Sequence, residues 1–138
     1  MRILSRNFRD FIKVIPETLD DLFLLEELLG EGDLVRGEAY RKINLASSGE
    51  KAKVTKKRFH PLLSVLKTEI EEESDVLRIT GSIVEAIEDI PKGASQSINL
   101  ELGDDIRISK DWDNFEKQEL LKSTEKKKRY LVVAFEKG

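Results

Sequence analysis

The chain has 138 residues, of which 39% are hydrophobic and 37% are charged, and this length and composition suit one small domain with a short appendage. It contains no cysteine, which excludes a disulfide framework and a thiolate zinc site. The net charge of -3 argues against a uniformly positive surface, and no apolar run approaches the ~20 residues of a membrane helix. Because the N-terminus also lacks the apolar core of a signal peptide, we expect a cytoplasmic protein without a membrane partner.

The N-terminal third predicts a β-hairpin followed by a helix. Residues 3–4 and 11–15 are β-branched or aromatic and flank a polar stretch, which is typical of two paired strands. Thr18 is a favourable N-cap, and Gly30 is a favourable left-handed C-terminal stop. We therefore predict a helix over 19–29, with its leucines packed on a sheet.

The middle of the chain predicts further short strands. Residues 34–43 favour an extended structure that Gly37 interrupts, and 62–70 and 76–87 favour paired strands around an acidic turn. Gly81 predicts a bulge or bend in the second of these strands.

Residues 98–102 and 106–108 alternate cleanly about Gly103-Asp104-Asp105, and we predict that they form a hairpin. The fold class that follows is mainly β (α+β): a small Sm-like or SH3-like barrel with one N-terminal helix. We expect the barrel to close on itself, because closure removes exposed strand edges.

The pattern changes after Trp112, so we divide the chain into three parts. Residues 1–112 form the barrel domain, and residues 113–128 form a polar connector helix. Residues 129–138 contain an apolar run that is typical of a buried strand, and we predict that they open a further domain. Since such a strand could also pair with a second copy, we expect either a monomer or a strand-paired dimer.

A concentration of basic residues stands out in this acidic chain. Residues 46–60 have the composition of one long loop, and cations on the preceding strand could extend its positive surface. Contact with phosphate backbones is favoured over a merely solvated surface, and the few nearby aromatics argue against stacking on several bases. The predicted RNA-binding residues are Arg36, Arg41, Lys42, Lys51, Lys53, Lys56, Lys57 and Arg58.

Catalytic chemistry has little support in the sequence. The only histidine is His60, without a nucleophile pattern around it, and no glycine spacing matches a phosphate-binding loop. Asp20 and Asp21 are typical of a helix N-terminus, and consecutive glutamates such as those at 71–73 point in different directions. We therefore predict no catalytic residue and no cofactor required for binding, and we assign no metal site.

Six short segments nevertheless occur in a specific order across almost the whole chain. They are PETLDDL at 16–22, GDLVR at 32–36, RKI at 41–43, LRITGSIVE at 77–85, EDI at 88–90 and KDW at 110–112. This order resembles the N-terminal part of the Pelota family, in an archaeal form that lacks long insertions.

The resemblance implies a factor of messenger RNA surveillance and ribosome rescue, acting in no-go and non-stop decay. In that family the N-terminal domain is an Sm-like barrel that enters the ribosomal A site, where a basic loop contacts ribosomal and messenger RNA. The resemblance places residues 46–58 in that loop. It implies that an elongation-factor-like GTPase binds mainly through later domains.

Two alternatives stay open from the sequence. The first is a divalent-metal-dependent RNA endonuclease, an activity attributed to the family, for which a divalent cation would be the cofactor. The second is a protein-interaction barrel, whose acidic face at 69–75 would bind a basic partner.

Overall fold

A computed structural model describes residues 1–44 and 54–124, which form nine strands and two helices. The second helix, α2, covers residues 114–124. The other elements are β1 (Arg2–Arg6), β2 (Ile12–Ile15), α1 (Leu19–Leu28), β3 (Leu34–Arg36), β4 (Ala39–Asn44), β5 (Val54–Phe59), β6 (Leu62–Glu71), β7 (Val76–Ile83), β8 (Ser95–Glu101) and β9 (Ile106–Ser109).

Seven of the strands form one antiparallel sheet in the order β1-β2-β9-β3-β6-β7-β8, and β4 pairs with β5 in a separate ribbon. Buried side chains from six sheet strands and from α1 share a single hydrophobic cluster, so the sheet curls around one core. The predicted mainly β fold with a helix near each end is therefore confirmed. Within the described ranges no ladder joins the edge strands β1 and β8, so the expected hydrogen-bonded closure is not seen.

Helix α1 begins where the sequence predicts, but it ends by a different device. Thr18 and Asp21 form a reciprocal capping box, and the buried Asp21 carboxylate also pairs with the Met1 ammonium at 3.0 Å. The helix ends at an extended Leu29, and Gly30 does not have the predicted left-handed conformation; Gly32 has it instead, with φ 91°. The Gly30 N–H donates to the Asp33 carboxylate. The helix therefore ends without a left-handed residue at Gly30.

The predicted hairpin at 98–102 and 106–108 is wrong in its pairing, although both strands exist. Strand β8 pairs only with β7, whereas β9 lies between β2 and β3. The intervening turn is tied to the end of β2 by a hydrogen bond from the Gly103 N–H to the Pro16 carbonyl. Alternation in the sequence fixes which face of a strand is buried, but it does not choose the neighbouring strand.

The irregularity predicted at Gly81 is present in the β6–β7 ladder, but the extra residue of the bulge lies on β6 and not on the second strand, where it was expected. Gly81 lies opposite Val65, and the register shifts there so that Leu66 has no partner and is exposed. A Cβ atom on Gly81 would lie 2.2 Å from the Ser64 carbonyl oxygen, which is closer than any real contact allows. Glycine is required here because the two backbones approach each other directly.

The predicted connector helix packs on the domain over its described part. Leu120 of α2 is fully buried in the core cluster, while Phe115 is exposed. Lys110 reinforces the junction, because its ammonium contacts both the Leu28 carbonyl and the Glu116 carboxylate. The predicted end of the helix and the strand predicted within 129–138 lie outside the described residues.

Replacing Gly81 by alanine should lower the free energy of unfolding by about 3 kcal/mol, because the new Cβ forces β6 and β7 apart. Gly30→Ala is the matched control, since its Cβ would meet only Asp33 Oδ2 at 3.7 Å, and a loss below about 1 kcal/mol is expected. Urea denaturation measures both variants. Equal midpoints for the two variants would contradict the close approach at Gly81.

Candidate nucleic-acid interface

The predicted basic loop is, in its second half, a β-strand. Residues 54–59 form β5, which pairs antiparallel with β4 in a two-stranded ribbon, hereafter the basic ribbon. The expectation of a loop through residue 60 is therefore wrong from Val54 onward, because lysines and arginine are tolerated on a strand that is exposed on one face. Lys51 and Lys53 lie outside the described residues.

The ladder divides the basic ribbon into two faces, because successive side chains of a strand point to opposite sides. Tyr40 lies opposite Arg58, and Lys42 lies opposite Lys56, and all four side chains are exposed. We call this the outer face. The alternate pairs, Ala39 with Phe59 and Arg41 with Lys57, form the inner face.

The outer face carries cations that have no anionic partner among the described residues. Apart from the backbone hydrogen bonds of the ladder, the side chains of Lys42, Lys56 and Arg58 form no ion pair or hydrogen bond with another described residue. Lys42 and Lys56 are direct cross-strand neighbours, and like charges in that position destabilise a ladder. The repulsion between them would be relieved by an anion that binds between the two ammonium groups.

The inner face is held against the edge of the main sheet. Ala39 and Phe59 are buried, and Arg41 Nη1 donates to the Gln96 side-chain oxygen at 3.1 Å and to the Ser95 carbonyl at 3.3 Å. The Gln96 amide nitrogen donates in turn to the Tyr40 carbonyl at 3.1 Å. Gln96 thus bonds both to the backbone and to a side chain of β4.

Two further ion pairs fix the base of the basic ribbon. Lys57 pairs with Glu88, a non-glycine residue with a positive φ of 49°. Arg36 on β3 donates to the His60 carbonyl at 2.9 Å and lies 3.5 Å from the Glu85 carboxylate. These contacts orient the end of β5 relative to the sheet.

The predicted RNA-binding residues therefore fall into three groups. Three lie on the outer face without an ion pair to a described residue, three hold the basic ribbon in place, and two lie outside the described residues. The sequence did not indicate the partners Glu85, Glu88 and Gln96, because they are separated from the basic residues by long stretches of chain. The first group, on the outer face, is Lys42, Lys56 and Arg58. The second, which holds the basic ribbon, is Arg36, Arg41 and Lys57, and the third is Lys51 and Lys53.

Tyr40 adds an aromatic ring to the outer face, where it is 55% exposed. Its hydroxyl donates to the Glu38 carboxylate at 2.6 Å, and this hydrogen bond is the main cause that raises the pKa of Tyr40. The phenol is therefore neutral at physiological pH and lies beside Arg58, where its ring is available to an unstacked base.

The other candidate sites are less developed. Asp21 is occupied as a helix cap, and the described ranges hold no group of three or more His, Asp or Glu side chains that could bind a metal ion. The acidic turn at 69–75 is partly neutralised, because Lys67 pairs with Glu69 and Arg78 pairs with Glu71. The endonuclease and protein-interaction alternatives stay predictions.

Fold and site together define a small, Sm-like, mainly β domain that carries a basic β-ribbon at its sheet edge. Residues 1–124 match the family model described as the Pelota N-terminal domain, and the chain belongs to the Pelota family. The resemblance seen in the order of sequence motifs is confirmed. Across the parts of the chain that the structure describes, no helix is long and apolar enough to cross a membrane.

Several of the similar proteins are archaeal. The Pelota homologue of Methanosphaera stadtmanae is 33% identical over 99% of this chain and 40% of its own length, and that of Pyrococcus furiosus is 35% identical over 92% and 37%. The archaeal Pelota in a model of ribosome-bound Pelota and ABCE1 is 29% identical, with a TM-score of 0.70 over 86% of this chain and 34% of that one. The chain thus spans about two fifths of the length of these curated relatives.

Replacing Gln96 by alanine should loosen the basic ribbon without unfolding the sheet, because it removes the hydrogen bonds to Arg41 and to the Tyr40 carbonyl. Amides of β4 and β5 should then exchange about tenfold or more faster, which corresponds to a loss of at least ~1.4 kcal/mol. Hydrogen exchange measures this residue by residue. Asn99→Ala on the same strand is the control, and equal exchange in both variants would contradict the role of Gln96.

Replacing Glu38 by glutamine should lower the pKa of Tyr40 toward the ordinary value of about 10, because the charged acceptor that disfavours the phenolate is removed. A pH titration of carbon-labelled tyrosine by NMR gives the midpoint. Glu73→Gln, a distant exposed carboxylate, should leave it unchanged. A midpoint that does not fall in the Glu38 variant would contradict the hydrogen bond as the cause.

Proposed function

We propose that this domain recognises stalled ribosomes in messenger RNA surveillance and ribosome rescue, by entering the vacant A site and contacting RNA through the basic ribbon. Membership of the Pelota family supports a role in messenger RNA surveillance and ribosome rescue. The similarity to an archaeal Pelota in a ribosome-bound model supports the ribosome as the partner. The activity of a whole Pelota protein would also depend on regions that this chain does not match.

The outer face of the basic ribbon is the observation that carries this proposal. Lys42, Lys56 and Arg58 are exposed, adjacent and without anionic partners in the described residues, although Lys42 and Lys56 repel each other across the ladder. A phosphate backbone supplies the missing negative charge, and it does so whatever the base sequence. A rescue factor needs this property because ribosomes stall at many sequences.

The inner face explains how such contact would be made at a defined place. The bonds from Gln96 and the Lys57–Glu88 pair hold the basic ribbon in one orientation, so less conformational freedom is lost on binding. Tyr40 offers one ring, and one ring is insufficient to read a sequence by stacking on several bases. Recognition would therefore rest on the shape and charge of the A site.

The remaining expectations follow from the same proposal. The function requires a cytoplasmic location, because translation takes place there, and it requires no cofactor for binding. An elongation-factor-like GTPase would bind mainly through other domains, and the strand predicted within 129–138 would open one of them. A divalent cation would matter only if the endonuclease alternative holds.

The triple variant Lys42→Gln, Lys56→Gln, Arg58→Gln should bind RNA more weakly and with a flatter salt dependence. If each cation contacts one phosphate of a single strand, the slope of log K against log salt should fall by about 2. Fluorescence anisotropy of a labelled oligouridine, titrated at several salt concentrations, measures both quantities. The reduction should be the same for an oligoadenosine, because backbone contacts carry no sequence preference.

The matched control removes the same charge from other surfaces. Lys67, Arg78 and Lys122 are exposed and pair with neighbouring carboxylates, so their replacement by glutamine should leave the salt slope nearly unchanged. An equal loss in both triple variants would show non-specific attraction to net charge. It would overturn the proposal that the basic ribbon is the contact.

A further inference from the structure

A second set of cations lies on the main sheet, and it shares only Arg36 with the RNA-binding residues predicted from the sequence. Lys13 on β2 pairs with Arg107 on β9, and Arg107 pairs with Arg36 on β3. Their immediate neighbours in each strand, such as Ile12 and Ile108, are buried in the core. The three cations therefore lie side by side on the outward face of three adjacent strands, and we call them the cation row.

The cation row is unfavourable for the fold itself. Neighbouring strands are about 4.8 Å apart, so the three side chains start within about 10 Å of each other across the sheet. Like charges directly opposite on one face destabilise a sheet, and here the arrangement occurs twice in succession. Stability alone would favour alternating signs at these positions.

Neutralisation by carboxylates is only partial. Lys13 pairs with Asp105 at 2.9 Å and Arg36 with Glu85 at 3.5 Å, and these carboxylates are 52% and 61% exposed. Exposed pairs of this kind are weak and can be exchanged for another anion. Arg107, in the centre, has no ion pair with any described residue.

Arg107 is also held in a fixed position. Its guanidinium carbon lies 4.8 Å from the centre of the Phe11 ring, so cation–π attraction orients the planar group. An oriented guanidinium can donate two parallel hydrogen bonds to a phosphate, or present its plane to an unstacked base. Its chemistry is therefore suited to a polyanion with planar groups.

We propose that the cation row is a second RNA contact of this domain and binds a phosphodiester backbone alongside the one at the basic ribbon. The inference rests on the proposed function and extends it. Arg36 connects the two surfaces, because it is the last residue of β3 before the chain enters β4, and its guanidinium holds the His60 carbonyl just beyond β5. One RNA segment can thus contact both the cation row and the base of the basic ribbon.

RNA is favoured over an acidic protein segment for two reasons on this surface. The cation row is continuous with the basic ribbon through Arg36, and the Phe11–Arg107 stack suits a base as well as a phosphate. An acidic peptide would pair with the positive charges, but it would not stack on the guanidinium plane of Arg107. Binding to polyglutamate at matched charge concentration separates the two ligands.

The test is Arg107→Gln in the complete chain, with Arg78→Gln as the matched control on the outward face of β7. Anisotropy titrations with oligouridine at several salt concentrations should give weaker binding for Arg107→Gln and a salt slope lower by about 0.7, the value for one phosphate of a single strand. The control should match the unmodified chain. Arg107→Gln should also unfold at about the same urea concentration as the unmodified chain, because loss of the cation–π contact with Phe11 is offset by relief of the repulsion from Lys13 and Arg36. A merely structural arginine would give a clearly lower midpoint.

The remaining outcomes distinguish this inference from the proposed function. If the basic ribbon variant loses RNA binding while Arg107→Gln binds like the unmodified chain, the proposal that the cation row binds RNA is overturned and the proposed function stands. If Arg107→Gln loses only binding to polyglutamate, an acidic protein is the ligand and the RNA contact is overturned. If the unmodified chain binds neither RNA nor ribosomes, the proposed function itself fails.

Discussion

The hydrogen bonds of one buried side chain, Gln96, determine what the basic surface of this domain can do. Its amide oxygen accepts from Arg41 and its amide nitrogen donates to the Tyr40 carbonyl, so the inner face of the basic ribbon is fixed to the edge strand β8. Because side chains alternate along both strands, fixing one face leaves the other to solvent. The exposure of Lys42 and Lys56 on the outer face is a consequence of that alternation.

Charge is therefore used in two ways within one short segment. Arg41 and Lys57 stabilise the basic ribbon through neutral or anionic partners on the sheet, whereas Lys42, Lys56 and Arg58 are exposed and, in the proposed function, contact an external anion. This division explains how an acidic chain can present a local positive surface, since Glu85 and Glu88 beside the basic ribbon are paired with Arg36 and Lys57. For this surface, the sign and position of individual charges matter more than the net charge of the chain.

Much of the fold could be predicted because its signals are local. The helix start at Thr18 follows from residue types within a few positions of one another, whereas the bulge opposite Gly81 has its extra residue on the neighbouring strand. The pairing of β8 and β9 could not be predicted, because a clean alternation is satisfied by any neighbour with a complementary apolar face. The same limit applies to the site: Arg41 and Gln96 are 55 positions apart, and nothing near either residue indicates the other.

The proposed function requires the basic ribbon to dock in the decoding site of the ribosome rather than on polyanions in general. Co-sedimentation with ribosomes whose A site is either vacant or filled by transfer RNA tests this most directly. We expect that the domain pellets with vacant ribosomes, that A-site transfer RNA prevents this, and that the Lys42, Lys56 and Arg58 triple variant stays largely in solution. Equal pelleting with vacant and filled ribosomes, or undiminished pelleting of the triple variant, would contradict it.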